Sequence, residues 1–315
     1  MLGIPTAAVL SFLTVAFITP VVIKRCRELG FLSEDLHKPG TMVPYLGGIS
    51  ILIGFLVGIT ATGFYGMDPK AGLAAALSGT LGGLIGLVDD LFKLNKRSLV
   101  LLSAMAGLPI VSFRVGSTVI YALGELDLGV LFWVLVPVGF CYLMNAVNIY
   151  AGFNGIEAGC GLVTSFFLMI CSILYRSWDS AMELAALSGA LAAFLLWNRY
   201  PSRIFPGNSG TYLMGAVLAS SIVIGTIKTA GVIATAPYLI NFLIRLRNRF
   251  TWTVGYVDDS GVIRTKGLEA LWSLWIGKGS SEVKIFWKAV LFHSLFGIGA
   301  VLFSLASVDQ VTVNS

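Results

Sequence analysis

Charge is what this sequence has least of. Only 12% of its 315 residues are Asp, Glu, Lys or Arg, whereas a soluble domain needs roughly a quarter to cover its surface. With 57% hydrophobic residues and a mean hydropathy of +0.87, the solvent for most of the chain is lipid. Cysteine is scarce too. Cys26, Cys141, Cys160 and Cys171 form no C-x-x-C pair and no metal-ligand spacing, so they read as small apolar helix residues. No basic n-region precedes the first apolar run, Gly3 to Ile23, which therefore reads as a span and not a cleaved signal. The pI near 9.0 comes without a basic stripe interleaved with aromatics, which argues against nucleic acid as a partner. No inverted repeat of the transporter kind is evident by eye.

What is present is a series of apolar runs long enough to cross about 30 Å of hydrocarbon at about 1.5 Å per residue. Ten spans are predicted, approximately at 3–23, 46–64, 71–88, 99–113, 129–147, 157–175, 181–197, 209–227, 230–244 and 285–306. The predicted fold class is an all-α integral membrane protein, a single polytopic domain over 1–315 with a long loop at 245–284. Seventeen of the 21 Lys and Arg residues fall in the loops of one side, and four (Lys70, Arg114, Arg176, Lys228) on the other. The positive-inside rule makes the rich side cytoplasmic and, with an even number of spans, puts both termini outside.

Two short extended pieces are expected in loops. One is a hairpin within Arg114–Leu128, with its turn near Gly124. The other surrounds a turn at Val257-Asp258-Asp259-Ser260-Gly261-Val262. Gly79, Gly82, Gly83 and Gly86 give the third span the small-residue spacing of close helix packing.

The polar residues that apolar packing would not choose gather on the predicted cytoplasmic side. The third span ends in Asp89-Asp90, two adjacent carboxylates at the edge of hydrocarbon, where each charge is costly and the two repel. Adjacent helical residues point about 100° apart. One carboxylate is therefore expected to face a metal or nucleophile and the other a cation or backbone group. The fifth span runs into Asn145-Ala146-Val147-Asn148-Ile149-Tyr150-Ala151-Gly152-Phe153-Asn154-Gly155, amides broken by glycines. Such a string offers carbonyl oxygens to a hard cation and hydrogen bonds to a base. A helix-breaking turn is the plainer alternative. A third element, Tyr200 to Thr211, opens the eighth span with an aromatic, a cation and a glycine-flanked amide.

Together "GLVDDLFKLNKRS", "NAVNIYAGFNGIEAG", "YPSRIFPGN" and the early "DLHKPGTMVPYLGG" resemble the polyprenyl-phosphate N-acetylhexosamine-1-phosphate transferases. The amide string is most similar to the branch that makes dolichyl-diphospho-N-acetylglucosamine. The resemblance covers the chain to about Phe242. It implies a cytoplasmic site that joins a UDP-sugar to a polyprenyl or dolichyl phosphate with Mg²⁺, and it leaves room for a homodimer. Asp89 and Asp90 would be the catalytic pair, Asn148 a Mg²⁺ ligand, Asn154 a uracil contact and Phe205 a stacking partner for that base. Arg247 and Arg249 would match a diphosphate-gripping Arg-His-Arg.

Two departures stand out. The family usually has a metal-binding Asp where this chain has Asn208, and a Lys where it has Leu99. Asn offers an oxygen without charge, which leaves Mg²⁺ more dependent on the substrate diphosphate, and Lys96 or Arg97 would have to replace the missing cation. Two other readings stay open: a noncatalytic nucleotide-sugar-binding or regulatory relative, and a transporter or flippase, which should carry ionisable residues in mid-span.

Overall fold

The computed structural model describes residues 2–121, 125–251, 253–258, 262–277 and 279–312. Its helices are α1 (Gly3–Leu29), α2 (Gly48–Thr62), α3 (Pro69–Phe92), α4 (Lys96–Met105), α5 (Leu108–Phe113), α6 (Val130–Asn148), α7 (Ile156–Leu174), α8 (Trp178–Asn198), α9 (Gly207–Ile224), α10 (Lys228–Arg247) and α11 (Glu282–Thr312). Among the described residues, nine helical stretches are long and apolar enough to cross a membrane, with α4 and α5 together making one of them. The remaining expected span, the eighth at 209–227, is α9. Its polar first turn leaves it outside that set, yet it is buried along almost its whole length.

The fourth span is broken where Gly107 and Pro109 interrupt its backbone bonding, and α5 starts with that proline in its first turn. The first helix runs past the apolar stretch to Leu29. Its charged end is supported by Arg25 and Glu28, 2.8 Å apart.

The small residues of α3 do what their spacing suggests. A Cβ at Gly82 would stand 2.6 Å from Ala216 Cβ and 2.8 Å from the Tyr212 carbonyl, and one at Gly86 would overlap the backbone carbonyl of Asn208. The last turns of α3 therefore lie directly on the first turns of α9, which run the opposite way. Gly86→Ala should push the two backbones apart and carry Asn208 with them. Activity should fall by more than tenfold, while Gly139→Ala, whose Cβ meets nothing within 4 Å, should be silent. Paired assays of the two variants check this. Hydroxyl pairs add links between helices: Thr19 to Ser50 at 3.1 Å, Ser165 to Ser188 at 2.8 Å and Ser172 to Ser180 at 2.9 Å. In membranes such bonds contribute about 0.6 to 2 kcal/mol each.

Among the described residues, three two-stranded antiparallel hairpins decorate the loops. The sequence-predicted one pairs β3 (Val119–Tyr121) with β4 (Glu125–Asp127); its expected turn at Gly124 lies outside the described residues. Lys228 holds it to the bundle, donating to the Val119 carbonyl at 2.8 Å. The second predicted piece pairs β5 (Tyr256–Val257) with β6 (Ile263–Arg264). There Asp258 is a turn residue, accepting from the Val262 N–H and from Arg264 Nε; Asp259, Ser260 and Gly261 lie outside the described residues. The third, β1 (Leu32–Glu34) with β2 (Met42–Pro44), folds the α1–α2 loop, which the sequence reading left without structure.

Candidate active site

A cavity of about 720 Å³ opens where the α1–α2, α3–α4, α6–α7, α8–α9 and α10–α11 connections meet. All five lie on the Lys/Arg-rich side. Asp90, Asn148, Asn154, Phe205 and Asn208 line it. Residues brought from α3, the amide string and the start of α9 thus share one wall.

Asp90, in the last turn of α3, reaches the start of α9. Its Oδ1 accepts the Asn208 N–H at 2.9 Å and its Oδ2 the Ser209 N–H at 3.0 Å. It does the work of a capping residue, satisfying donors that a helix cannot satisfy itself and sitting at the positive end of the helix dipole. Gly207, at φ 66°, makes the approach feasible, because a Cβ there would stand 2.7 Å from Asp90 Oδ2. Asp89 lies behind Asn208. Its Oδ1 accepts the Leu94 N–H at 2.8 Å and its Oδ2 accepts from Asn208 Nδ2 at 2.6 Å. The pair diverges as helical geometry requires, and each carboxylate accepts at least one backbone N–H, Asp89 as well as Asp90.

The amide string closes on the same turn of α9. Thr211 donates to Asn148 Oδ1 at 2.6 Å, and the Tyr212 hydroxyl donates to Asn145 Oδ1 at 3.0 Å. Phe205 is fixed by its backbone, donating to the Pro44 carbonyl at 2.7 Å and accepting from the Gly47 N–H at 3.0 Å. Its ring is left on the cavity wall.

Asn154 sits in a buried polar cluster at another part of the wall. It accepts the Ser202 N–H at 2.6 Å, donates to Asp35 Oδ2 at 3.1 Å and lies 3.4 Å from Lys38 Nζ. The Lys38 ammonium bridges Asp35 at 2.7 Å and Glu282 at 2.6 Å and lies 4.4 Å from the Tyr200 ring centroid. Asp35, His37 and Glu282 are close enough together to hold a metal, but the ammonium already bridges the two carboxylates. His37 stacks on Phe153 at 4.6 Å, and its Nε2 donates to the Val254 carbonyl at 2.7 Å.

Burial pushes the Asp35 carboxyl up, but bonds from Lys38, Asn154 and the His37 N–H outweigh it and leave the group below the usual carboxylate range. Burial likewise acts against the Lys38 charge, yet Asp35 and Glu282 raise it above the ordinary lysine value. Asp35 therefore stabilises the fold above its unfolded pKa of about 3.9 and loses this as pH falls through the lower folded value. Lys38 stabilises fully below about 10.4 and loses this as pH rises through its higher folded value. Lys38→Met leaves two carboxylates facing each other and should cost on the order of 3 kcal/mol. The loss should stay constant between about pH 5 and 9 and shrink at both extremes, as thermal unfolding across pH would show.

The structure separates the remaining sequence-predicted residues from the cavity. Lys96 and Arg97 are exposed at the start of α4 and do not line it. Arg247 and Arg249 are exposed at and just beyond the end of α10. The buried guanidinium is Arg245, which donates to the Thr251 and Thr253 carbonyls. Leu99 is half-buried in α4. Lys93, which the sequence reading used only as a topology signal, is the one Lys or Arg among the described lining residues. Its positive φ of 53° ends α3, and its Nζ lies 5.7 Å from the Tyr45 ring centroid, near Asp90.

Comparison with known proteins gives this arrangement a family. Residues 73–226 match the family model for glycosyl transferase family 4, a span that holds Asp89, Asp90, Asn148, Asn154, Phe205 and Asn208. A protein of Sulfolobus acidocaldarius with the provisional name UDP-N-acetylglucosamine–dolichyl-phosphate N-acetylglucosaminephosphotransferase is 32% identical over 278 residues, covering 84% of each chain. One of the same name from Saccharolobus solfataricus is 32% identical over 256 residues, 78% of this chain and 80% of its own. A phospho-N-acetylmuramoyl-pentapeptide-transferase of Caldicellulosiruptor bescii is 30% identical over 237 residues, 68% of this chain and 73% of its own. The chain belongs to glycosyl transferase family 4.

Proposed function

We propose that this membrane protein transfers N-acetylglucosamine-1-phosphate, or a related sugar-1-phosphate, from a UDP-sugar to a polyprenyl or dolichyl phosphate, with Mg²⁺. The observation that carries this reading is the meeting of Asp90, Asn148, Asn154, Phe205 and Asn208 on one cavity from separate parts of the chain. The names of the relatives point to the same substrates.

In the reaction, a lipid phosphate oxygen attacks the β-phosphorus. The bond from that phosphorus to the bridging oxygen breaks, UMP leaves with the oxygen, and the sugar's anomeric bond is untouched. Anionic groups are thus brought together, and catalysis consists mainly of neutralising charge and aligning the attack. Lys93 and Phe205 line the cavity, which supports a role for the first in binding phosphate and for the second in stacking on the base. Asp90 holds the first turn of α9, and with it Asn208, in position.

Glu34, Asp35, Asp90 and Glu157 also line the cavity, and Lys38 offsets Asp35 alone among them. One lysine against several carboxylates is a poor receptor for a diphosphate, so a divalent cation suits the site. Asn148 and Asn208 are oxygen donors of the kind that hard Mg²⁺ accepts. When bound, the ion would offset phosphate charge as the attack proceeds.

The purified protein incubated with radiolabelled UDP-GlcNAc, polyprenyl phosphate and Mg²⁺ should give a labelled lipid diphosphate and UMP. Binding of the nucleotide sugar with no turnover would identify a regulatory relative instead. Among the described residues, a transporter reading has two buried ionisable residues within helices in its favour, Glu183 in the second turn of α8 and His293 in α11, but neither lines the cavity.

The proposed orientation has the cavity facing the cytoplasm and both termini on the other side. Cysteines placed at Lys96 and Arg264 should react with an impermeant thiol reagent from the cytoplasmic side, and one at Arg114 from the opposite side. Cytoplasmic labelling of Arg114→Cys would reverse the assignment.

A further inference from the structure

The turn that joins α6 to α7 lends Ile149, Gly152, Phe153 and Asn154 to the cavity wall. Between the two helices its backbone has no ladder to hold it, so contacts from elsewhere must fix it. The Asn154 N–H donates to Glu282 Oε2 at 3.2 Å. Phe153 is clamped between two rings, His37 stacked at 4.6 Å and Trp272 edge-on at 5.3 Å. Trp272 belongs to a short 3-10 turn, Leu271–Trp275, in the α10–α11 connection. That distant segment is therefore the backing of the wall.

One side chain ties the backbones of the two turns together. Asn241, on α10, donates from Nδ2 to the Ile149 carbonyl at 3.1 Å and accepts the Leu271 N–H on Oδ1 at 3.0 Å. A carbonyl only accepts and an N–H only donates, so both ends of the amide are assigned, and a flip would lose both bonds. Asn241 is 1% exposed and is not among the residues that line the cavity, so substrate does not touch it. The same stretch of α10 reinforces the join. Tyr238 packs edge-on against Tyr150 at 5.1 Å, and Arg245 donates to the Thr251 and Thr253 carbonyls.

We propose that Asn241 is a positioning residue that sets the nucleotide-sugar wall of the cavity by locking the turn at 149–154 to the turn Leu271–Trp275. This rests on the nucleotide-sugar reading above and adds to it a residue outside the cavity on which affinity depends. Cutting either bond lets the two turns shift against each other, and Trp272 then no longer backs Phe153. Asn148 keeps its own anchor, the Thr211 hydroxyl at 2.6 Å. The loss therefore falls on binding more than on the chemical step.

Two substitutions in the full chain cut the link at opposite ends. Asn241→Asp keeps the acceptor for Leu271 and sets a second oxygen against the Ile149 carbonyl. Leu271→Pro removes the N–H at the other end. Ala270 is already extended (φ −156°, ψ 176°), as a residue before proline prefers, and proline suits the first position of a helical turn. Each should raise KM and the dissociation constant for UDP-GlcNAc by at least about tenfold and change kcat by less than about threefold. Because both cut one link, the double variant should be within about threefold of the worse single variant. Ser172→Ala, which breaks the hydroxyl pair with Ser180 away from the cavity, should lower the unfolding midpoint and leave KM unchanged. Hydrogen exchange gives a second readout: the segments 149–155 and 268–276 should lose protection together in Asn241→Asp. Leu271→Pro carries both readouts alone if Asn241→Asp does not fold.

Unchanged KM and affinity in both variants overturn the proposal. So do losses that multiply in the double variant, and so does loosening of one segment without the other. If the wild type neither binds nor turns over UDP-GlcNAc, the nucleotide-sugar reading fails, while joint loosening of the two segments still upholds Asn241 as the link between them.

Discussion

Asp90→Ala is expected to lower kcat by about 10³-fold or more, the scale seen when a preorganised group at a reacting centre is removed. Asp90 accepts two backbone N–H groups at the start of α9, so its loss leaves two donors in a buried place and frees the turn that carries Asn208 and Thr211. Loss of a helix cap alone costs about 0.5 to 2 kcal/mol, and each orphaned donor adds about 1 to 3. The midpoint of unfolding should therefore fall as well.

Asp89→Ala should spare the α9 cap and release only the Asn208 amide and the Leu94 N–H. It should lower kcat with a smaller loss of stability. In both variants the change in kcat should exceed the change in UDP-GlcNAc affinity, measured by turnover and by equilibrium binding. Full turnover in both would remove the acidic pair from the mechanism.

Lys93→Met is the second large effect. At an effective dielectric near 20, a unit charge about 4 Å from a phosphate oxygen is worth roughly 4 kcal/mol before desolvation. A hundredfold fall in kcat/KM is expected, with much of it in the KM for the UDP-sugar. Lys96→Met and Arg97→Met should change kcat/KM by less than about threefold, the scale of a surface charge outside the cavity. Steady-state kinetics on the three variants separates the lysine that lines the cavity from the two basic residues beside it that do not. A larger loss from Lys96 or Arg97 than from Lys93 would return the phosphate contact to the start of α4.

The sequence made the spans legible because lipid permits few ways to satisfy a backbone, and each leaves a run of apolar residues of known length. It also showed which loops would meet, through the one-sided distribution of Lys and Arg. The contacts within those loops were hidden. Lys93 looked like any juxtamembrane lysine, since nothing in Leu-Phe-Lys-Leu-Asn announces a positive φ that ends α3 beside Asp90. Asp35 and Lys38 are three residues apart, but Glu282 is 244 positions away from Lys38, and no local pattern connects them. Arg247 and Arg249 were drawn towards the site by their likeness to the family's Arg-His-Arg. The helix α10 continues through Arg247, so Arg245 and Arg247 point about 200° apart, and burial of the first leaves the second outside.

The Asp89–Asn208 contact explains how a departure from the family pattern is accommodated. An amide donates to Asp89 where a carboxylate would repel it. The resemblance read in the sequence singled out Asn208, and only the folded contact showed which neighbour it serves.

The hydrogen bond between His37 and Val254 spans 217 positions, and this separation bears on how the protein is made. At a synthesis rate of about 5–20 residues per second, Val254 emerges on the order of 10 to 40 s after His37. During that interval α2 to α10 are made before Val254 can meet His37. A released chain truncated after Arg247 should therefore be inserted with its spans in place, yet retain a nucleotide sugar less well than the full chain. Supplying the remaining segment as a separate polypeptide would show whether closure of the site needs only proximity or must occur during translation.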